Sequence, residues 1–127
     1  MSFPESAIAK LLESVAFDSD GLVAAIAQRH ETGEVLMLAW MNADAVRETL
    51  ATGRVTYWSR SRRSLWRKGE TSGHIQTLRS IRIDCDGDAL LLGVDQTGAA
   101  CHTNRSSCFF REVAEDGLVE ISKPLED

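Results

Sequence analysis

The sequence has no apolar run approaching the roughly 20 residues that a membrane-spanning helix needs. Its first residues, MSFPESAIAKLLESV, contain neither the basic segment nor the apolar stretch of a cleavable signal peptide. Internal repeats, low-complexity tracts and linkers are absent as well. These absences exclude membrane-spanning, secreted and repeat proteins. We therefore expect a cytoplasmic protein without membrane partners, folded as one domain over residues 1–127.

Basic charge is scarce overall, because 19 acidic residues outnumber 14 basic ones and the formal net charge is −5. General nucleic-acid-binding proteins rely on basic surfaces, so we expect no nucleic-acid partner. The basic residues are nevertheless concentrated, since residues 54–82 contain eight of them and a single acid, Glu70. This basic segment is either a solvated face or part of a pocket for a small phosphorylated ligand.

Two segments have the apolar spacing and the end signals of helices. The first covers residues 2–15, where Ser2 and Glu5 match a capping box and apolar residues recur at helical intervals. The second begins after Asn42, a residue type that caps helices well, and runs to about residue 51 with Gly53 at its end. The sequence therefore predicts two short helices.

The other regular elements are predicted to be strands. Apolar runs at residues 22–28 and 35–41 flank a turn-forming segment, which predicts a hairpin. Ile75 and Thr77 lie in phase with Ile81 and Ile83, which predicts a strand with these residues on one face. The complete set of further predicted strands is 54–60, 75–85, 89–94, 108–110 and 118–121. The expected fold class is thus α+β and rich in β-structure.

Residues 60–74 lack a convincing period, so we predict a long exposed loop there. Glu70, Thr71 and Ser72 lie in it between two glycines. Hydroxyl groups and a flexible backbone suit contacts with a phosphate or a ribose. A plain polar turn explains these residues equally well.

Three aspartates occupy every second position at Asp84, Asp86 and Asp88. An EF-hand loop would need glycine and glutamate where this chain has Ala89 and Asp95, so we exclude that calcium site. In an extended backbone the aspartates would project to one side and the intervening cysteine to the other. Either a hard cation joins the three carboxylates, or they face water in a polar turn.

The cysteines are three in number, an odd count that does not suit a disulfide framework. They lie at Cys85, Cys101 and Cys108, with His102 next to the second, and they lack the paired CxxC spacing of a zinc ribbon. Three thiolates and His102 would close a structural zinc site. If His102 stays free, zinc keeps an open position for water and lowers the pKa of that water, which is hydrolytic chemistry. Buried structural thiols remain the alternative.

Four segments resemble the phosphoribosyl-AMP cyclohydrolase family, whose members catalyse the third step of histidine biosynthesis. They are EVLMLAWMN (residues 34–42), YWSRSRRSLWRKGETSGH (57–74), DCDGD (84–88) and ACHTNRSSCF (100–109). The resemblance extends over nearly the whole chain. It implies hydrolytic opening of the purine ring of 1-(5-phosphoribosyl)-AMP between N1 and C6, which gives the formimino-carboxamide ribonucleotide.

The resemblance also implies the architecture and the site. We expect a curled antiparallel or mixed sheet, similar to a barrel, in an intertwined homodimer whose zinc sites take Cys85 from the opposite chain. The implied zinc ligands are Cys85, Cys101 and Cys108, and the implied magnesium ligands are Asp84, Asp86 and Asp88. For proton transfer we expect His102 first and His74 second. The expected contacts with substrate are Arg60, Arg62, Arg67, Lys68, Glu70, Thr71 and Ser72.

Two other classes of function are consistent with the same residues. A zinc-stabilised module with a closed ligand set could use the basic segment to grip nucleic acid. A zinc deaminase of nucleotides would share attack of activated water on a ring carbon, but its H-x-E and P-C-x-x-C pattern is absent. Some relatives append a pyrophosphohydrolase domain, and we expect this chain to lack that second activity.

Overall fold

Two helices and eight strands make up residues 2–126, the part of the chain that the computed structural model describes. The helices are α1 (Glu5–Ser14) and α2 (Ala43–Thr52). The strands are β1 (Val23–Arg29), β2 (Val35–Met41), β3 (Thr56–Ser59), β4 (Ser64–Arg67), β5 (Gln76–Ile83), β6 (Ala89–Gln96), β7 (Arg111–Ala114) and β8 (Gly117–Glu120). These elements confirm the predicted α+β class, rich in β-structure, with two helices.

The largest sheet has four strands in the order β2-β1-β6-β5. Its β1–β2 and β5–β6 pairs are antiparallel hairpins, and β1 pairs with β6 in parallel, so the sheet is mixed as expected. Two separate hairpins, β3–β4 and β7–β8, form the other sheets. Strands β2 and β5 remain the edges of the main sheet, so across residues 2–126 the expected barrel-like closure does not form.

The two helices differ in how well their ends were predicted. Asn42 caps α2 through a side-chain oxygen that accepts a hydrogen bond from the Ala45 amide at 2.8 Å, and Gly53 ends it with a φ of 77°. Both signals are confirmed. The capping box at α1 is wrong, because Pro4 occupies the N-cap position and no side chain caps the helix. Ile8 still anchors α1 in the core.

One cluster of buried side chains joins the helices to the main sheet and to the β3–β4 hairpin. It includes Ile8 of α1, Val46 of α2, Tyr57 of β3 and Leu92 of β6. Because burial of apolar surface is the main favourable term in folding, this cluster fixes β3–β4 beside the main sheet. Neither helix in the described chain is long and apolar enough to cross a membrane.

Three strand predictions need correction. A bulge between Leu78 and Ser80 shifts the register of β5, so Gln76 and Leu78 are the buried residues of its first half instead of Ile75 and Thr77. The predicted loop at 60–74 contains β4, paired along its whole length with β3. Residues 108–110 are not a strand, and β7 begins only at 111. Strands of four residues are too short to produce a readable alternation.

Candidate active site

A cavity of about 360 Å³ opens between the segment that follows β4 and the segment that follows β6. It gathers residues from two of the motifs that are far apart in the sequence. Those among its lining residues that the sequence predicted as site residues are Arg62, Lys68, Glu70, Thr71, Ser72, His74, Cys101 and His102. The fold therefore brings most of the expected contacts with substrate together with one thiol and both histidines.

The first wall of the cavity is a tight loop between β4 and β5. The Gly73 amide donates a hydrogen bond to the Gly69 carbonyl at 2.8 Å, and both glycines have a φ of +81°. A Cβ atom at position 69 would lie 2.4 Å from the carbonyl carbon of His74, so only glycine lets the loop close this tightly. The His74 amide donates to the Ser72 Oγ at 3.1 Å. The loop thus turns His74 back toward the cavity.

The second wall is the segment from Ala99 to Cys108. The Cys101 amide donates to the Arg105 carbonyl at 3.1 Å, and Asn104, with a φ of 63°, makes the turn between them. The Cys108 amide donates to the Leu36 carbonyl of β2 at 2.7 Å. Strand β2 therefore holds one end of this segment, while its other end continues directly from β6.

Cys101 and Cys108 lie close enough for their thiols to affect each other. Cys101 is 5% exposed, and its sulfur contacts the Thr103 hydroxyl at 3.0 Å. Burial raises the pKa of the Cys101 thiol, but hydrogen bonds from Thr103 and Cys108 outweigh burial and lower that pKa overall. Desolvation of the Cys108 sulfur, together with the neighbouring Cys101 thiol, raises the pKa of Cys108 to about 11. The surroundings therefore shift the pKa values of the two thiols in opposite directions, and Cys101 is the more acidic of the two.

The third cysteine, Cys85, is not part of this pair. It is exposed and lies in the turn between β5 and β6. Within the range 2–126, the only three potential metal ligands with all their ligand atoms inside 4.8 Å of one another are the three aspartates of that turn. One copy of the chain thus brings two of the three cysteines together and leaves Cys85 apart.

Asp84, Asp86 and Asp88 form an exposed carboxylate cluster. Their backbone forms a turn, the alternative to an extended strand: the Asp84 carboxylate accepts hydrogen bonds from the Asp88 and Ala89 amides at 3.0 and 3.3 Å. Hydrogen bonds with Asp86 and Asp84, and the charges of both, raise the pKa of Asp88 to about 6. A carboxyl pKa rises where like charges lie close together.

Two predicted contacts with substrate lie outside the cavity. Arg67 forms a salt bridge with Glu48 of α2 at 2.6 Å. Arg60 lies over the Trp40 ring, with its guanidinium carbon 4.9 Å from the ring centroid. The basic segment is divided because Arg67 lies on β4 beside α2, whereas Arg60 lies in the turn that joins β3 to β4.

Lys68 is the buried cation of the cavity, although the sequence predicted it in an exposed loop. It is 8% exposed, and its Nζ donates a hydrogen bond to the Ala100 carbonyl at 2.6 Å. The ammonium also lies 5.3 Å from the Trp66 ring centroid. Burial lowers the pKa of Lys68, and the Cys108 and Cys101 thiols oppose this effect. Lys68 therefore joins the two walls beside the thiol pair.

A buried hydrogen-bond network behind the cavity was not predicted. The Tyr57 hydroxyl donates to Gln76 Oε1 at 2.7 Å, Gln76 Nε2 donates to Gln96 Oε1 at 2.8 Å, and Gln96 Nε2 donates to the His74 carbonyl at 3.2 Å. Burial raises the pKa of Tyr57 far above its ordinary value, so its hydroxyl remains a donor. The sequence signal for this network was a glutamine at the end of each of two adjacent strands, Gln76 and Gln96, which pair with each other.

Comparison with known proteins assigns the chain to a family. Residues 37–110 match the family model for phosphoribosyl-AMP cyclohydrolase. A phosphoribosyl-AMP cyclohydrolase of Rhodospirillum centenum is 65% identical over 112 residues, which cover 88% of this chain and 84% of that protein. One from Granulibacter bethesdensis is 63% identical over 118 residues, which cover 92% of each. The resemblance seen in the sequence is confirmed: the chain belongs to the phosphoribosyl-AMP cyclohydrolase family, a family of hydrolases.

Proposed function

We propose that this chain hydrolyses 1-(5-phosphoribosyl)-AMP between N1 and C6 of the purine ring, which gives the formimino-carboxamide ribonucleotide in the third step of histidine biosynthesis. The observation that carries the proposal is the cavity, where two histidines, a thiol of the Cys101–Cys108 pair and the polar residues 70–72 meet. This chain is 65% identical to a phosphoribosyl-AMP cyclohydrolase, which supports the same reaction. We place the enzyme in the cytoplasm, where thiols stay reduced.

The donor chemistry at the cavity fits zinc. Cys101 and Cys108 are neighbouring thiols, and thiolate is a preferred ligand of Zn²⁺. Cys85 is the remaining soft donor, and its exposed position leaves it available to the cavity of a second copy. We therefore propose zinc held by Cys101 and Cys108 of one subunit and by Cys85 of its partner in a homodimer. When bound, the ion would supply a Lewis acid and activate water at neutral pH.

The carboxylate cluster fits a different ion. Asp84, Asp86 and Asp88 offer oxygen ligands, which magnesium prefers to sulfur. The raised pKa of Asp88 reflects its hydrogen bonds with Asp86 and Asp84 and the repulsion between these carboxylates, which a divalent cation would relieve. We propose that these aspartates hold Mg²⁺.

Hydrolysis needs proton transfer at two atoms. Addition of water to C6 releases a proton, and cleavage of the C6–N1 bond requires a proton at N1. His102 and His74 line the cavity, and imidazole exchanges protons near neutral pH. We propose that His102 moves the proton of water, because it adjoins Cys101, and that His74 serves N1.

The substrate carries two phosphates, which need cationic and hydrogen-bonding partners. Arg62 and Lys68 line the cavity, as do Glu70 and the hydroxyls of Thr71 and Ser72. We propose that Arg62 and the two hydroxyls bind phosphate. Lys68 already donates to the Ala100 carbonyl and lies beside the thiols. We therefore propose that its ammonium group balances the negative charge of the thiolates and does not bind phosphate.

The direct test is to incubate the metal-loaded protein with phosphoribosyl-AMP and to follow ring opening by ultraviolet absorbance, with zinc content measured in parallel. We expect turnover by the wild type, and loss of both zinc and turnover in Cys101→Ala. We expect His102→Ala to keep zinc and to lose about 100-fold or more in kcat. A folded, metal-loaded wild type without turnover refutes the proposed activity. A Cys101→Ala protein with normal zinc content and turnover would disprove the ligand set.

A further inference from the structure

The His74 imidazole lies directly against the backbone of Gly98, a residue that the proposed chemistry does not use. A Cβ atom at position 98 would lie 2.7 Å from Cδ2, 2.9 Å from Nε2 and 3.1 Å from Cγ of that ring. Real Cβ atoms do not approach other heavy atoms so closely, so only a residue without a side chain permits this contact. The ring therefore occupies the space that a side chain at position 98 would fill.

The contact follows from the pairing of β5 with β6. Gln76 pairs with Gln96 at the ends of these antiparallel strands, and continuing that register by two residues brings His74 opposite Gly98. Gln96 also donates to the His74 carbonyl at 3.2 Å. The backbone of His74 is thus held at the end of the β5–β6 pair, which places its side chain beside Gly98.

The backbone of His74 is fixed from the other side by its own loop. Its amide donates to Ser72 Oγ at 3.1 Å, and its carbonyl group lies against Gly69, where no Cβ could fit. In the described part of the chain the hydrogen bonds of His74 are made by its backbone, so its ring nitrogens remain available to a ligand in the cavity. His102, by contrast, is an exposed residue in a turn.

We propose that Gly98 is a positioning residue, whose bare backbone holds the His74 imidazole in the orientation required for proton transfer to the substrate. This inference rests on the proposed function, in which His74 delivers the proton to N1. General acid catalysis depends on hydrogen-bond reach between the acid and the reacting atom, so a displaced ring loses most of its effect.

The substitution Gly98→Ala tests this contact. The atoms that a new Cβ would meet belong to the outer part of a flexible side chain, so the His74 ring moves aside. The φ of +66° at Gly98 adds backbone strain of its own. Gly21→Ala is the matched control, because Gly21 has a φ of +75° and nothing within 4 Å of the added Cβ.

The experiment is a double-mutant cycle of Gly98→Ala with His74→Ala, carried out on the metal-loaded protein with phosphoribosyl-AMP. We expect Gly98→Ala to lower kcat by roughly 10- to 100-fold with a smaller change in KM. In the His74→Ala background there is no ring to displace, so we expect Gly98→Ala to have no further effect on kcat. Gly21→Ala keeps the wild-type kcat. An equal loss in both backgrounds, or an active His74→Ala protein, overturns the proposal.

A second readout judges the contact without reference to activity. We expect the imidazole carbon–proton NMR signals of His74, identified by their loss in His74→Ala, to shift in Gly98→Ala and to stay unchanged in Gly21→Ala. Unchanged His74 signals in Gly98→Ala overturn the proposal. If Gly98→Ala does not fold, we expect the double variant Gly98→Ala/His74→Ala to fold, because it has no imidazole to clash with the new Cβ. A double variant that also fails to fold overturns the proposal. A wild type without turnover refutes the proposed function alone, since the NMR comparison still reports on Gly98.

Discussion

Removing a single hydroxyl at Tyr57 should weaken the whole support of the cavity. The Tyr57 side chain is fully buried, and its hydroxyl donates to Gln76 Oε1 at 2.7 Å. Tyr57→Phe retains the ring, so it creates no large cavity, but it leaves the buried Gln76 oxygen without its donor. An unsatisfied buried polar group costs about 1–3 kcal/mol.

For a domain of this size, a loss of that amount lowers Tm by roughly 3–15 °C. We would measure the free energy of unfolding in urea, and we expect the midpoint to fall while the slope m stays constant. Ser14→Ala is a control, because it removes an exposed hydroxyl that donates to the Lys10 carbonyl at 2.9 Å. We expect that control to change the free energy of unfolding by less than about 0.5 kcal/mol.

The same network reaches the site, since Gln76 donates to Gln96 and Gln96 donates to the His74 carbonyl. We therefore expect Tyr57→Phe to lower kcat as well, by less than the removal of the His74 ring. A Tyr57→Phe protein that unfolds within about 0.5 kcal/mol of the wild type would refute the reasoning. It would mean that Gln76 finds another donor or that the network adds nothing to stability.

Three further predictions concern other parts of the chain. The hydrogen bond from Arg67 holds the pKa of Glu48 below its ordinary value of 4.5. The ionised Glu48 therefore stabilises the folded state fully above pH 4.5, and this stabilisation is lost as the pH falls through the lowered pKa. Glu48→Gln should therefore cost about 0.2–1 kcal/mol at pH 7 and less in acid, as measured by urea unfolding; an equal cost at both pH values contradicts this. Gly69 and Gly73 share a φ of +81°, but a Cβ at Gly69 would lie 2.4 Å from the His74 carbonyl carbon, whereas at Gly73 it meets nothing within 4 Å. Gly69→Ala should thus be the less stable of the two alanine variants, by about 1–3 kcal/mol, and equal stability would refute the clash. Chelation should abolish turnover and added Zn²⁺ should restore it, while recovery with Mg²⁺ alone would contradict the zinc assignment.

Local signals explain which elements the sequence predicted well. Helix α2 was predicted closely because Asn42 and Gly53 mark its two ends through their own side-chain and backbone chemistry. Strand β2 was predicted with its correct bounds because its apolar run ends where the cap begins. The capping box of α1 failed because Pro4, with its fixed φ, took the N-cap position. Strand β4 was missed because its four residues gain their structure from pairing with β3.

The predicted site residues met in the cavity only in part, for reasons that depend on tertiary structure. The sequence placed Arg60, Arg62 and Arg67 in one basic segment, but the β3–β4 hairpin directs Arg67 to Glu48 and Arg60 to Trp40. Nothing within a single motif indicates such a partner on another element. Pairing partners and opposite faces of a hairpin must be known before charges can be assigned to a pocket.

The contact between His74 and Gly98 shows how a small feature of the sheet sets the site. Near the turn of the β5–β6 hairpin, Ile83 pairs with Leu90, and this register continued without interruption would bring His74 opposite Ala99. The bulge between Leu78 and Ser80 shifts the pairing by one residue, so Gly98 takes that place instead. Bulges commonly redirect side chains next to active sites. The hairpin was predictable from its turn and apolar pattern, but the bulge was not. The bulge determines whether the imidazole lies opposite the methyl group of Ala99 or the backbone of Gly98.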